Sequence, residues 1–179
     1  MAKKNQHAAE SNGRWHVLSA DSPFSVVEAY KALRTNVIFS LPDSPSKCIG
    51  ITSATKGEGK SSTALNLAIS FSQIGKNVLL IDCDMRLPSI ASKLGITGVP
   101  GLSNILVQNG NIESALRRIN GINITVLPSG TIPPDPTYLL ESNRMVKLLE
   151  ILRKHYEFII VDLPPVNSVT DAAILAKQL

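Results

Sequence analysis

A short apolar run, Lys47-Cys48-Ile49-Gly50-Ile51-Thr52, passes into a glycine-bearing loop and then, from Ser61, into a helically patterned segment. No other feature restricts the fold of this chain as tightly. The loop Ala54-Thr55-Lys56-Gly57-Glu58-Gly59-Lys60-Ser61 fits GxxxxGK[ST] except for Ala54 at its first position. Such a loop turns its backbone N–H groups inward around a phosphate, and Gly57 and Gly59 allow backbone conformations that a side chain would block. The strand before it and the helix after it are the context the motif requires. The expected phosphate contacts are Thr55, Lys56, Gly57, Glu58, Gly59, Lys60, Ser61 and Ser62. Lys60 brings an ammonium to the β- and γ-phosphates, Ser61 a hydroxyl to Mg²⁺, and the helix its N-terminal dipole.

The remaining chain repeats the alternation. Val26, Tyr30, Leu33, Val37 and Leu41 mark one face of a helix ahead of the loop, ended by Leu41-Pro42-Asp43-Ser44-Pro45. Leu65, Leu67, Ala68 and Phe71 carry the helix after it, which stops at Gly75. Val78-Leu79-Leu80-Ile81 is apolar on both sides of an extended chain, as a buried parallel strand must be. Amphipathic pieces at Leu102 to Val107 and Ile112 to Ile119 lead to a strand at Ile124 to Leu127 and a proline-rich turn, Pro133-Pro134-Asp135-Pro136. A helix from Asn143 to His155, a strand from Phe158 to Val161 and a helix from Val169 to Leu179 follow. Strands alternating with helices predict an α/β fold, a three-layer α/β/α P-loop NTPase with a mainly parallel sheet. Residues 1–22 read as a flexible polar tail in which Trp15, Val17 and Leu18 are the docking candidates, and 23–179 as one domain.

Two more strand ends carry acids. Asp82-Cys83-Asp84 places two carboxylates on the same side of an extended chain, at the edge of a parallel sheet where ligands bind. Asp82 is a candidate for holding a Mg²⁺-bound water or accepting a proton, with Asp84 supporting it. Phe158-Ile159-Ile160-Val161-Asp162 has the form of a Walker B strand, whose aspartate serves Mg²⁺. The predicted site is therefore Lys60, Asp82, Asp84 and Asp162 as the catalytic set, with Ser61, Asp82 and Asp162 at the metal.

Composition sets the outer bounds. Two cysteines, Cys48 and Cys83, show neither metal-ligand spacing nor a disulfide pattern, which fits a reducing cytosol. The start of the chain lacks the apolar segment of a signal peptide, and no run is long enough to span a membrane. A net charge of +4 from scattered basic residues describes a solvated surface and gives no reason to expect nucleic acid as a partner.

The chain resembles the bacterial tyrosine kinases of capsule and exopolysaccharide synthesis. The segments that carry the resemblance are Glu28-Ala29-Tyr30-Lys31-Ala32-Leu33-Arg34-Thr35-Asn36, the phosphate loop through Ser61, Asp82-Cys83-Asp84-Met85-Arg86-Leu87-Pro88, Leu127 to Pro136, and Asp162-Leu163-Pro164-Pro165. The Asp-x-Asp-x-Arg element is the most specific. The resemblance implies MgATP as phosphate donor, protein tyrosine hydroxyls as acceptors, and Lys60, Ser61, Asp82, Asp84 and Asp162 as the active set. It also implies self-association through Glu28, Lys31 and Arg34, a membrane-embedded polysaccharide co-polymerase as activator, and a place on the cytoplasmic face of the plasma membrane through that activator.

Several positions depart from the family pattern. Lys31 replaces an arginine, Leu163 a serine or threonine, and Asp135 an asparagine. The family continues beyond the equivalent of Leu179 with further strands, a helix and a tyrosine-rich tail. Here the tyrosines are Tyr30, Tyr138 and Tyr156. The expectation is a kinase domain cut short of its last strands. Competing readings are an ATPase switch of the partitioning or division-site kind, and a nucleotide-binding fragment that transfers nothing. The switch proteins carry a lysine at the second loop position, where this chain has Thr55.

Overall fold

A computed structural model describes residues 17–41, 43–108 and 110–179. Its five-stranded sheet has the order β1-β5-β2-β4-β3, with β1 Lys47–Ile51, β2 Val78–Asp82, β3 Arg117–Arg118, β4 Thr125–Leu127 and β5 Phe158–Asp162. All pairings are parallel except the β3–β4 pair. Every residue of β2 and β5 is buried, the physical reason for their unbroken apolar runs.

Alternate residues of these strands feed two separate cores. Leu79, Ile81, Ile159, Val161 and Leu127 face one side, where α4 (Leu102–Gln108), α5 (Pro136–Glu141), α6 (Asn143–Arg153) and α7 (Asp171–Ala176) cover them. Val78, Leu80, Val126, Phe158 and Ile160 face the other, under α2 (Lys60–Ser72) and α3 (Ile90–Leu94). The Phe71 and Phe158 rings stack there with centroids 4.0 Å apart. The two cores and the sheet between them are the three layers the alternation predicted.

The segment Ile112 to Ile119 is not a helix. It holds a 3-10 turn at Ile112–Ser114 and the short strand β3, because Arg118 pairs with Thr125 across an antiparallel edge. The proline run Pro133 to Pro136 opens α5: Asp135 caps it by accepting the Tyr138 N–H at 3.1 Å, and Pro136 takes the first turn, where no N–H is needed. Of the tail, residues 1–16, including Trp15, lie outside the described residues. Leu18 is buried, and its N–H donates to the Asn66 side chain at 2.7 Å.

Helix α1 (Phe24–Ser40) lies on α2 as an outer layer and has no fully buried residue. Its contact face is Val27, Tyr30, Val37 and Leu41, turned slightly from the predicted one, so that Val26 and Leu33 are exposed. Arg34 fixes that rotation: its Nη1 donates to the Ser70 carbonyl at 2.6 Å and to Ser70 Oγ at 3.2 Å. Arg34→Ala is expected to lower unfolding free energy by about 1.5–3 kcal/mol, the range for a lost charged hydrogen bond, measurable by urea unfolding. An unchanged midpoint would mean that α1 is held by its apolar contacts alone.

Candidate functional site

The sheet brings the three predicted strand ends together. β5 lies between β1 and β2, with Ile51, Asp162 and Asp82 in register. The chain after β5 is tied to the phosphate loop's entry: Leu163 N–H donates to Ile51 O at 2.9 Å, and Thr52 Oγ1 to Pro164 O at 2.7 Å. Gly57 and Gly59 adopt φ of 90° and 87°, left-handed values that a side chain would strain. Glu58 folds back to accept the Thr55 N–H at 3.1 Å, a bond that lowers its pKa.

Lys60 is the hub. Its Nζ lies 2.7 Å from Asp84 Oδ2, and 3.2 Å from both Asp162 Oδ1 and Ser61 Oγ. The pairing outweighs burial and raises the Lys60 pKa. Asp162 is buried, so desolvation raises its pKa while Lys60 pulls the other way. Its Oδ2 has no hydrogen-bond partner among the described residues.

Asp82 lies behind this group, fully buried. Its Oδ1 accepts the Asp84 N–H, and its Oδ2 the Ser89 and Ile90 N–H groups, at 3.1–3.2 Å. Desolvation, reinforced by Asp162, pushes its pKa up to about 7. Asp84 Oδ1 accepts the Leu87 N–H at 3.0 Å, leaving Oδ2 for Lys60.

A cavity of about 510 Å³ opens over these groups, lined by Lys56, Gly57, Gly59, Lys60, Ser61, Ser62, Asp84 and Arg86 on one side and by Pro164, Pro165 and Val169 among others. Thr55, Glu58, Asp82 and Asp162 adjoin it without lining it. A larger hollow, about 960 Å³, lies at the other end of the strands among Asn77, Ile124 and Tyr156, away from this chemistry.

Other predicted positions fall elsewhere. Glu28 and Lys31 pair with each other at 2.8 Å on the exposed side of α1, while Arg34 turns inward to Ser70. Leu163 is buried in the core beneath α7, its Cδ1 2.8 Å from where a Cβ on Gly50 would stand. Gly130 of the proline-rich motif takes φ 87° against Ser103 and Asn104 at the start of α4, so that motif braces the fold.

Sequence reasoning missed Asp171 and Lys93. Asp171 is fully buried and receives Arg86; an acid at a helix start reads as an ordinary cap, so nothing in the sequence singled it out. Lys93 lines the cavity from α3, a helix too short to show periodicity.

Hard oxygen donors and an unpartnered Asp162 oxygen beside Ser61 fit Mg²⁺. No cluster of three metal-ligating side chains is found among the described residues.

These features define a P-loop nucleotide-binding domain. The AAA domain family matches residues 46–178. Tyrosine-protein kinase YwqD of Bacillus subtilis is 41% identical over 163 residues, covering 90% of this chain and 69% of the relative. Tyrosine-protein kinase CpsD of Streptococcus agalactiae is 39% identical over 151 residues, covering 84% of this chain and 65% of the relative. The kinase domain of the Escherichia coli tyrosine kinase ETK superposes with a TM-score of 0.83 at 31% identity, over 90% of this chain and 67% of that one. The chain belongs to the bacterial tyrosine kinase family. No described helix is long and apolar enough to cross a membrane.

Proposed function

We propose that this chain transfers the γ-phosphoryl group of MgATP to tyrosine hydroxyls of proteins, in the control of capsular or exopolysaccharide synthesis. The observation that carries the reading is Lys60 held at 2.7 Å from Asp84 and 3.2 Å from Asp162 at the mouth of a glycine-lined cavity. The loop N–H groups and Lys60 hold the phosphates; Ser61 and Asp162 would hold Mg²⁺, which would supply charge neutralisation to the transferring phosphoryl group. When Lys60 turns to the phosphates it releases Asp84 Oδ2, the oxygen not engaged by the Leu87 N–H. The tyrosine oxygen forms a bond to the γ-phosphorus, the bond to the β–γ bridging oxygen breaks, ADP leaves, and the hydroxyl proton passes to Asp84. Asp82, buried behind the cavity, accepts the Asp84 N–H and holds the Asp84 backbone in place. A membrane-embedded co-polymerase as activator and self-association through α1, whose Phe24 and Phe39 are largely exposed, complete the proposal.

The test incubates the chain with labelled MgATP and a tyrosine-containing acceptor, with and without a cytoplasmic activator peptide. Label on tyrosine is expected. Release of free phosphate alone would reassign the chain to the ATPase switches, and binding without turnover would leave it a nucleotide-binding fragment. In the same assay Asp84→Asn should slow transfer more than Asp82→Asn while ATP binding is kept. The reverse order would return the base's task to Asp82.

A further inference from the structure

Arg86 follows Asp84 by two residues, yet its side chain belongs to a different network. Its Nε donates to Asp171 Oδ2 at 3.0 Å and its Nη2 to Asp171 Oδ1 at 3.2 Å. Nη2 also reaches Thr137 Oγ1 at 3.0 Å, and that hydroxyl donates back to Asp171 Oδ1 at 2.7 Å. Three segments thus meet in one closed polar cluster: the loop after β2, the first turn of α5 and the first turn of α7. Asp171 is fully buried, while the Arg86 side chain is 39% exposed and lines the phosphate cavity with Lys60.

The chemistry of this cluster is lopsided. A buried carboxylate that loses its cation is left with an uncompensated charge, so Arg86 is not free to leave Asp171. The side-on grip uses Nε and Nη2 and makes the plane of the guanidinium rigid. No hydrogen bond to Nη1 is found among the described residues, and Nη1 is the end of the fork away from Asp171. Lys60 behaves differently, since its partners are carboxylates that it exchanges for phosphates.

We infer that Arg86 is a fixed cation for the phosphoryl group in flight, with Asp171 and Thr137 as the positioning residues that aim it. The inference rests on the phosphoryl-transfer reading above. As the bond from the γ-phosphorus to the bridging oxygen lengthens, negative charge builds on that bridging oxygen and redistributes over the equatorial oxygens of the group in transfer. A donor set in place beforehand stabilises that distribution without reorganising. Arg86 therefore contributes little to holding ADP and much to holding the transition state.

The test is equilibrium binding of MgADP to the whole chain, with and without aluminium fluoride, which mimics the transferring group. Aluminium fluoride is expected to tighten binding to the native chain. In Arg86→Lys, Arg86→Gln and Asp171→Asn the tightening should shrink by about tenfold or more, while MgADP alone stays within about threefold. The double variant Arg86→Gln with Asp171→Asn should lose no more than Arg86→Gln alone, because Asp171 acts through Arg86. Arg86→Lys keeps a cation at a partly exposed position, so a folded protein is available even if Asp171→Asn unfolds; thermal melting identifies that case. The inference is overturned if the native chain shows no tightening, if Arg86→Lys retains it, if MgADP affinity falls equally, or if the double variant is additive. A chain that releases phosphate without labelling tyrosine loses the kinase assignment but leaves this comparison intact.

Discussion

Lys60→Met is expected to reduce phosphoryl transfer by about two to three orders of magnitude, the effect of removing one preorganised charge-stabilising donor. It should also change the stability of the protein, which a purely ligand-contacting lysine would not. The Lys60 ammonium lies within 3.2 Å of carboxylate oxygens from both Asp84 and Asp162, and these side chains are 4% and 0% exposed. Removing one partner of a buried ion pair typically costs about 3–5 kcal/mol, because the other charge stays buried without compensation. The loss should depend on pH in a definite direction. Burial already raises the Asp162 pKa against the pull of Lys60, and without the cation it moves up further, so the folded protein holds a proton that the unfolded chain has already released. Stability of the variant therefore recovers as pH falls through that raised value. Chemical denaturation of both proteins at pH 8 and at pH 5.5 measures it. An equal gap at the two pH values would show that the carboxylates are not charged against Lys60.

Most of the sheet was legible because buried parallel strands have nowhere to place a polar residue. Val78 to Ile81 and Phe158 to Val161 announce themselves by that alone. The failures occurred where structure rests on few residues. β3 has two residues, Arg117 and Arg118, and exists because β4 offers an antiparallel edge, a tertiary fact invisible in its own composition. α3 is five residues long, too short for periodicity. α5 was masked by its prolines, which read as a turn although an Asp before a Pro is also how a helix begins. On α1 the apolar spacing identified a helix but not its rotation, because Arg34, a charged residue, sets which face meets α2.

The site divides along the same line. Lys60, Ser61, Asp84 and Asp162 were legible because each stands at a strand end or in a loop whose chemistry restricts the residue type, and the register of β5 with β1 and β2 brings them together. Asp171 was not, since its meaning depends on Arg86 arriving from 85 residues away. The depth of Asp82 behind Asp84 was equally hidden. A period of two puts both on one side of an extended chain, but β2 ends at Asp82, the chain bends at Arg86 and Leu87, and the N–H groups of Ser89 and Ile90 close over Asp82.

That enclosure leads to the second large expected effect, a decline in stability with rising pH that Asp82→Asn removes. The Asp82 carboxyl is raised to about 7 in the folded protein, against about 3.9 for an aspartate in an unfolded chain. Between those values the folded state keeps the proton and the unfolded state has lost it. The contribution of Asp82 to stability is therefore complete below about pH 4 and lost as pH rises through about 7, on the order of 4 kcal/mol in total. Asp162, raised by burial, acts with the same sign. Glu58 and Glu157 have lowered pKa values, so their contributions are present at higher pH and are lost only as pH falls into the ordinary carboxylate range. Asp82→Asn carries no charge at any pH, so it removes the Asp82 part of the slope. It also turns an amide NH₂ toward one of the N–H groups that the carboxylate accepts, at a cost of about 1–3 kcal/mol. The variant should thus be less stable than the native chain at pH 5 and close to it or more stable at pH 8.5, so that the gap closes or reverses between the two. Thermal unfolding across this range decides it. Parallel curves would mean that Asp82 is ionised throughout, held by its N–H donors against desolvation.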